Sequence, residues 1–460
     1  MANARSRAVG LLVGALALAG GWGEGDDDSR RGAARGLPRG LVTNEPGAFE
    51  GYTLYSPLTQ DATYLVDLDG EVVHKWAHDT QPGLYQYLQE NGNLLRTGRI
   101  ERETRFNAGN GFGGVIEEVD WEGQPVWRFE YASDEHMQHH DVERLPNGNV
   151  LILAWEYRSD EEAIAAGRDP ELIPDGEVWP DTVVEYDPRS GQIVWEWRVW
   201  DHLIQDHDPT NANYGNVAAH PEKIDINLTD QSLQNPGEAD WNHATSVAYN
   251  PQLDQIVISL RSFNEIWIID HATSTEEARG PAGDLLFRYG NPATYRADGV
   301  ADQKLFAQHD AEWIADGLKG AGNILVFNNG LPRIRPYSSV DEVVPVMDGH
   351  RYVQNNHGVF AAEIRRVYPQ RQEDRFFAAI LSGSQRLPNG NTIVVYGTHG
   401  RILEVTPVGR VVWEYENPYF TVRPQTPMDN PEFEIEPWRT FRAERYASSY
   451  PAFAGRDLDN

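Results

Sequence analysis

Hydrophobic and polar residues alternate along most of the chain in short runs that end at glycine-containing turns. Runs such as VVEYD at 183–187 and ILEVT at 402–406 place every second side chain on one face, which is the period of a half-buried β-strand. Asn-Gly pairs such as Asn147-Gly148 take positive φ and close tight hairpins. The pattern predicts an all-β protein built from antiparallel hairpins.

One unit recurs along the chain: a strand, a tight turn, an alternating strand, an acidic or glycine turn, and a strand that ends in Trp or another aromatic residue. Repeats of three or four strands at this spacing are typical of propellers and solenoids. Six copies favour a closed six-bladed β-propeller with loop insertions, in which the terminal Trp packs between neighbouring blades. The copies lie at 53–76, 91–130, 146–199, 250–292, 322–369 and 388–418.

The repeats divide the chain. We assign residues 46–424 to the propeller and expect residues 425–460 to form a C-terminal tail that packs on it, either wrapping the outside or closing the ring. Two longer insertions interrupt the pattern, at 157–181 and 200–240, and the first contains the helix-favouring run EEAIAAG. Such insertions lie on one face of a propeller and shape its site.

The N-terminus has the pattern of an export signal. Arg5 and Arg7 precede an apolar run at 8–20 that is too short to span a bilayer comfortably. We read residues 1–24 as a signal peptide and residues 25–45 as a flexible linker, with an uncleaved anchor as the alternative. The expected location is periplasmic or secreted.

Composition excludes several classes of function. Seventy acidic against 39 basic residues give a formal net charge of −31, which disfavours nucleic acid and anionic membranes as partners. The chain has no cysteine, so disulfides, thiol nucleophiles and thiolate metal sites are excluded.

Three histidines recur before the turns of separate repeats. His140 and His243 each lie seven residues before an Asn of the next turn, and His309 stands in a similar segment. A residue at this place begins the innermost strand of a blade, so we expect the three side chains to meet at the axis. His139 is expected to face away, because neighbouring strand residues point to opposite sides.

Three converging imidazoles suit either a metal site or nucleophilic and acid–base catalysis. Arg261, at the end of an apolar run, favours the second, because a guanidinium suits a tetrahedral oxyanion and is costly beside a divalent metal. Other histidines are expected to be structural or exposed: His220, His271 and His357. Further polar candidates for the channel wall are Thr245, Asn328, Asn329 and Thr398, the last beside His399.

Several segments resemble the arylsulfotransferase family, the bacterial arylsulfate sulfotransferases. They are HHDVERLPNGNVLILAWE, DWNHATSVAYNPQLDQIVISLRS, LFAQHDAEW with GNILVFNNG, and RLPNGNTIVVYGTHGRILEVTPVGRVVWEY. The D-W-x-H segment followed by Arg261, eighteen residues after its histidine, is the most specific of these signals.

The resemblance implies a six-bladed propeller enzyme that moves a sulfuryl group from an aryl sulfate to a phenol without phosphoadenosine phosphosulfate. It implies that His309 takes the sulfuryl group and that His140, His243 and Arg261 support the transfer. We expect Thr245, Asn328, Asn329 and Thr398 to line the substrate site, and we expect a monomer that needs no cofactor or metal. The chain departs from the family in having Thr245 where characterised members have Asn, and Asp310 where they have Thr. It also lacks their additional N-terminal domain and the cysteine pair of some members.

Two alternatives stay open at the level of the sequence. One is a metal-dependent hydrolase or lyase on the same scaffold, with His140, His243 and His309 as ligands. The other is a non-catalytic propeller that binds a ligand, because propellers support many unrelated functions.

Overall fold

The strands of the computed structural model are short and antiparallel. It describes residues 39–229, 238–297, 302–371, 374–421 and 435–458. In chain order the strands are β1 (Gly40–Asn44), β2 (Gly51–Pro57), β3 (Ala62–Val66), β4 (Val72–Ala77), β5 (Pro82–Leu88), β6 (Leu94–Arg99), β7 (Gly114–Val119), β8 (Pro125–Glu130), β9 (His136–Arg144), β10 (Val150–Glu156), β11 (Arg158–Ser159), β12 (Glu177–Val178), β13 (Asp181–Asp187), β14 (Gln192–Arg198), β15 (Leu203–Ile204), β16 (Ile224–Asp225), β17 (Ala244–Asn250), β18 (Gln255–Leu260), β19 (Glu265–Asp270), β20 (Phe287–Tyr289), β21 (His309–Trp313), β22 (Ile324–Asn328), β23 (Ser339–Pro345), β24 (Met347–Asp348), β25 (Arg351–Tyr352), β26 (Ala362–Tyr368), β27 (Gly383–Arg386), β28 (Thr392–Tyr396), β29 (Arg401–Val405), β30 (Val411–Glu416) and β31 (Thr440–Ala447).

Six large sheets form the blades of a propeller, which confirms the fold predicted from the repeats. From the innermost strand outwards, blade 1 is β31-β2-β3-β4, blade 2 is β5-β6-β7-β8 and blade 3 is β9-β10-β13-β14. Blade 4 is β17-β18-β19-β20, blade 5 is β21-β22-β23-β26, and blade 6 is β27-β28-β29-β30-β1. The innermost strands β31, β5, β9, β17, β21 and β27 contact one another in turn around the axis.

Strands from both ends of the described chain complete the ring. β1 adds a fifth, outermost strand to blade 6, and β31 is the innermost strand of blade 1. The sequence pattern predicts that 40–44 belong to a linker and that 440–447 belong to a tail that wraps the outside or closes the ring. The structure places both segments in propeller sheets, because each supplies backbone N–H and C=O groups to an otherwise unpaired sheet edge.

The apolar core lies between adjacent blades. One cluster joins blades 3 and 4 and contains Trp197 and Trp267, and another joins blades 6 and 1. The indole N–H of Trp76 donates to the Asp120 carbonyl of the next blade at 3.1 Å, and that of Trp413 to the Leu68 carbonyl at 2.9 Å. The predicted position of the terminal Trp between neighbouring blades is therefore confirmed for these residues.

The two long insertions connect β10 to β13 and β14 to β17. The first contains helix α1 (Asp160–Ala165), which confirms the predicted helix and begins at the Ser159 capping box. The insertions contact each other, since Ala239 N donates to Asp175 at 3.0 Å.

Among the described residues, the other helical segments are α2 (Thr275–Ala278) and 3-10 turns at Arg105–Ala108, Pro170–Leu172, Val199–His202, Val217–Ala219, Pro281–Gly283, Pro292–Tyr295, Gly397–His399 and Pro451–Phe453.

The proposed signal peptide, residues 1–24, lies outside the described residues, as does most of the proposed linker. Within the part of the chain that the structure describes, no helix has the length and apolarity needed to cross a bilayer.

Candidate active site

Three innermost strands, β9, β17 and β21, make the same kind of hydrogen bond to the next blade. Each carries one side chain that accepts a hydrogen bond from a backbone N–H of the following blade. These pairs are Asp141 with Val247 (3.2 Å), Ser246 with Ala311 (2.9 Å) and Asp310 with Ser384 (2.5 Å). The bonds fix the blades relative to one another, and they define matching positions in the three strands.

His140 and His309 directly precede two of these matching residues, whereas His243 lies three positions before Ser246. The expectation that all three histidines share one register position is therefore wrong for His243. A bulge between Ala244 and Ser246 and a left-handed φ of 51° at His243 nevertheless turn its ring towards the axis. The ring centroids of His140 and His243 are 4.9 Å apart.

Phe441 of β31 lies between the histidines. Its ring centroid is 6.0 Å from that of His140 and 6.5 Å from that of His309. Burial lowers the pKa of His309 well below its usual value, and electrostatic interactions with Arg261, His243 and Arg442 lower it further, while the hydrogen bond with Asn329 opposes the shift. The structure thus brings the three predicted histidines and Arg261 into one electrostatically coupled cluster.

Among the residues that the structure describes, the hydrogen bonds to the His309 ring are made at one nitrogen, Nδ1. Its Nδ1 lies 2.8 Å from Asn329 Oδ1 and 3.2 Å from the Ala307 carbonyl. Both partners are acceptors, because Asn329 Nδ2 donates to the carbonyls of Ala378 and Leu381. Nδ1 therefore carries the proton, and the Nε2 lone pair is free to attack.

His243 is oriented by a carboxylate. Its Nδ1 lies 2.6 Å from Asp240 Oδ2, which leaves Nε2 for the site. Arg261 directly follows the end of β18, and its backbone N–H donates to the His243 carbonyl at 3.1 Å. Arg261 is buried, and the charge of its guanidinium helps to lower the pKa of His309.

The ring of His140 packs against the backbone of Gly111. A Cβ added at Gly111 would overlap the His140 ring, and Gly111 has a φ of 89° that glycine favours. The Nδ1 atoms of His140 and His139 lie 2.9 Å apart, and the His139 ring stacks on Trp155. His139 is therefore a direct partner of His140, which the alternation argument missed.

Arg442 of β31 lies at the centre of the ring and was not among the predicted residues. Its guanidinium donates to Asp141 at 2.9 Å and to the Thr245 carbonyl at 2.8 Å, and its Nε is 3.0 Å from Asp310. It also stacks on Tyr85 and Phe441. One side chain therefore links the strands that carry His140, His243 and His309.

A cavity of about 320 Å³ opens on the other side of Arg442. Its acidic lining residues are Asp141, Glu143, Asp310, Glu312, Asp316 and Glu444. Burial raises the pKa of Glu143 to about 8 and that of Glu444 to about 7, and neighbouring carboxylates contribute to both shifts. Arg442 thus lies between the histidine cluster and a cavity lined by acidic residues.

The predicted substrate-binding residues divide into two groups. Asn329 contacts His309 directly. Thr245 directs its hydroxyl to Ser259, 3.1 Å away, and Asn328 uses its amide for Phe306, Lys304 and Asp341. Thr398 contacts His399 at 2.9 Å. For these last three the structure shows framework contacts, because their polar groups are occupied within the blades.

The remaining predicted histidines are structural or exposed, as expected. His271 is bound by Glu185 and Asp254, His220 pairs with Glu222 on the surface, and His357 is exposed. Among the described residues no group of three or more His, Asp or Glu side chains is placed to hold a metal ion.

The fold and site therefore define a six-bladed propeller with histidines and an arginine near its axis, side chains whose chemistry suits contact with an anion. The chain belongs to the arylsulfotransferase (ASST) family, whose model matches residues 52–426. It is similar to arylsulfate sulfotransferase AssT of Escherichia coli O6:H1 (strain CFT073), with 24% identity over 382 residues, 75% of this chain and 58% of that one. The chain therefore spans a little over half the length of this relative.

Two solved structures show a distant likeness to the chain. A protein of unknown function from Bacteroides caccae has 12% identity and a TM-score of 0.43, covering 79% of this chain and 93% of its own. Virginiamycin B lyase from Staphylococcus aureus has 10% identity and a TM-score of 0.38, covering 83% and 85%.

Proposed function

We propose that this protein transfers a sulfuryl group from an aryl sulfate to a phenol through a sulfohistidine at His309, without phosphoadenosine phosphosulfate. The observation that carries the proposal is the His309–Asn329 hydrogen bond. It holds the proton on Nδ1 and leaves Nε2 as a neutral nucleophile in a buried pocket with a guanidinium nearby.

The surrounding residues match the needs of the reaction. Transfer of a sulfuryl group, like that of a phosphoryl group, depends on positioning and on stabilising charge spread over the oxygens. Arg261 and His243 would hold these oxygens, with Asp240 orienting His243. His140 would protonate the leaving phenolate and later take the proton of the incoming phenol.

Attack by His309 Nε2 forms the N–S bond as the S–O bond to the aryl oxygen breaks. The ring then carries a positive charge beside the bound sulfonate, and Asn329 Oδ1 stabilises it by accepting the Nδ1 hydrogen bond. Attack by the acceptor phenol reverses these events and regenerates His309. The scheme predicts ping-pong kinetics.

Intact-mass analysis tests this proposal. Purified protein exposed to 4-nitrophenyl sulfate without acceptor should gain the mass of one sulfuryl group, which phenol then removes. His309→Ala should form no adduct and should lose at least about 10³-fold in turnover. His357→Ala, at an exposed histidine, is the control for nonspecific modification. An adduct retained in His309→Ala would refute the assignment of the nucleophile.

We also propose that the protein is exported and works as a monomer. The N-terminal pattern of basic residues and an apolar run supports export. Fractionation with size-exclusion chromatography of the mature protein tests both points, and retention in the cytoplasm would contradict the first.

A further inference from the structure

A buried chain of hydrogen bonds leads away from His140. Its Nδ1 lies 2.9 Å from His139 Nδ1, and His139 Nε2 lies 2.9 Å from Asp181 Oδ1. His139 and His140 are adjacent in sequence, yet their ring planes are nearly perpendicular, at 88°. The positive φ of His140 and the bulge of β9 produce this arrangement, because a regular strand would direct the two side chains to opposite faces.

His139 and Asp181, the middle and the far end of this series of hydrogen bonds, are fixed in place. The His139 ring stacks on Trp155, with centroids 4.1 Å apart, and is fully buried. The second carboxyl oxygen of Asp181 accepts a hydrogen bond from Ala244 N at 3.0 Å, directly after His243. Asp181 therefore connects the segment that carries His140 to the one that carries His243.

The surroundings favour uncharged forms of all three groups. Burial lowers the pKa of His140 well below its usual value, and the charges of His243, His139, His309 and Arg442 lower it further. An imidazolium at His140 is therefore disfavoured, although the leaving phenolate needs a proton from this side chain.

The other two members of the chain differ in the direction of their shifts. Burial lowers the pKa of His139 to about 3, with Asp240 opposing and His243 reinforcing the shift, and the Ala154 backbone also contacts its ring. Burial and Asp240 raise the pKa of Asp181 well above its usual value, while Ala244 N and His243 oppose this. Asp181 is thus the member best able to store a proton.

We propose that Asp181 and His139 form a proton relay that lets His140 act as a general acid and base without becoming an imidazolium. The proposal rests on the proposed function. Before transfer, the Asp181 carboxyl donates to His139 Nε2, His139 Nδ1–H donates to His140 Nδ1, and His140 Nε2–H faces the leaving oxygen.

In the first half-reaction, each proton that a group gives up is replaced by one from the next member of the relay. As His309 Nε2 binds sulfur and the S–O bond breaks, the phenolate takes the proton from His140 Nε2. His140 Nδ1 takes the proton of His139 Nδ1, and His139 Nε2 takes that of Asp181, which ends as a carboxylate. The incoming phenol reverses each transfer in the second half-reaction. Asp181 and His139 are positioning residues, since only His140 meets the substrate.

Leaving-group dependence tests the relay, because protonation matters most when the departing phenolate is strongly basic. In Asp181→Asn and His139→Gln, we expect kcat/KM for phenyl sulfate to fall by about 10²–10⁴-fold and that for 4-nitrophenyl sulfate by no more than about tenfold. A series of substituted aryl sulfates should therefore give a steeper plot of log kcat/KM against leaving-group pKa than in the wild type.

The chain offers a matched control. His202 is also fully buried, bonded to a carboxylate (Asp284, 2.8 Å) and stacked on a tryptophan (Trp197), but it lies outside the cluster. His202→Gln should keep the wild-type slope even if it lowers stability. A second readout is infrared spectroscopy: one protonated carboxyl band at neutral pH should vanish in Asp181→Asn and should disappear when the wild type is sulfurylated without acceptor.

The outcomes are distinguishable. A wild type that forms the adduct, with variants that lose all donors in parallel and an unchanged carboxyl band, overturns the relay and leaves the proposed function intact. A wild type without adduct or turnover overturns the proposed function and the relay with it. If His139→Gln does not fold, Asp181→Asn and the infrared band decide.

Discussion

Replacing Arg442 with Met should damage both the stability and the activity of this protein. Met keeps the apolar volume of the stem and removes the guanidinium. The side chain is 4% exposed, and its loss leaves Asp141 and Asp310 without their buried cationic partner. The Thr245 carbonyl also loses a donor.

The expected cost follows from the geometry. Removing one partner of a buried ion pair costs about 3–5 kcal/mol, because the remaining charge is buried and uncompensated. With an unfolding entropy of about 2.1 cal/mol/K per residue over a 460-residue chain, this corresponds to a fall in Tm of roughly 3–5 °C.

The loss should depend on pH. Burial raises the pKa of Asp310 to about 6, above its value in the unfolded chain, and Arg442 opposes this shift. The native state therefore binds this proton more tightly, and the contribution of Asp310 to stability falls as pH rises towards 6. Without Arg442 the pKa rises further, so the deficit of the variant should be small near about pH 5 and larger near about pH 8.

Chemical denaturation at both pH values measures the stability deficit, and 4-nitrophenyl sulfate turnover below the Tm measures the activity. Arg445→Met is the matched control: Arg445 lies on the same strand, is equally buried and pairs with Glu404, away from the histidines. It should lose stability and keep turnover. Full turnover in Arg442→Met at a temperature where it is folded would refute the claim that Arg442 positions the histidines.

Three further predictions concern the histidines themselves. Gly111→Ala should displace His140 and reduce kcat/KM for poor leaving groups. Its control is Gly123→Ala, which has a similar φ of 81° and open space around the new Cβ, and which should show only the backbone cost of about 1 kcal/mol. Equal kinetics in the two variants would contradict the claim that Gly111 makes room for the His140 ring. Asn329→Leu should lower kcat by about 10²-fold because it removes the acceptor that fixes the His309 tautomer, and an unchanged kcat would contradict this role. Because the pKa of His309 is lowered, its neutral form should persist as pH falls through 6.5, so kcat/KM for 4-nitrophenyl sulfate should stay level there; a fall with an ordinary histidine pKa would contradict the assigned nucleophile.

The sequence was sufficient for the fold because each blade repeats the same local signals. Turns such as that at Asn147-Gly148 and alternating strands such as β13 are determined by short-range chemistry, which is visible in one copy and reinforced by six. Closure was harder to predict. β1 and β31 bear no repeat of their own, because each completes a sheet that other segments begin, and only long-range pairing shows that they belong to the ring.

The site was predictable to the extent that it uses residues at recurrent positions. His140 and His309 could be found because they precede the turns of their blades at a similar place. His139 and Arg442 could not. The first depends on a bulge that overrides strand alternation, and the second comes from a segment that the repeats do not cover. The alternating TFRAERYA at 440–447 was the available signal for β31.

The distribution of charge gives these residues a common logic. A nucleophilic imidazole must be neutral, yet the anion it attacks needs positive charge nearby. Burial and neighbouring positive charges lower the pKa values of His140 and His309 and favour their neutral forms, while the guanidinium groups of Arg261 and Arg442 supply positive charge. Protons are then transferred by imidazole and carboxyl groups, and guanidinium groups carry the positive charge. A lysine at either arginine position would hold its positive charge less firmly, because burial lowers the pKa of an ammonium.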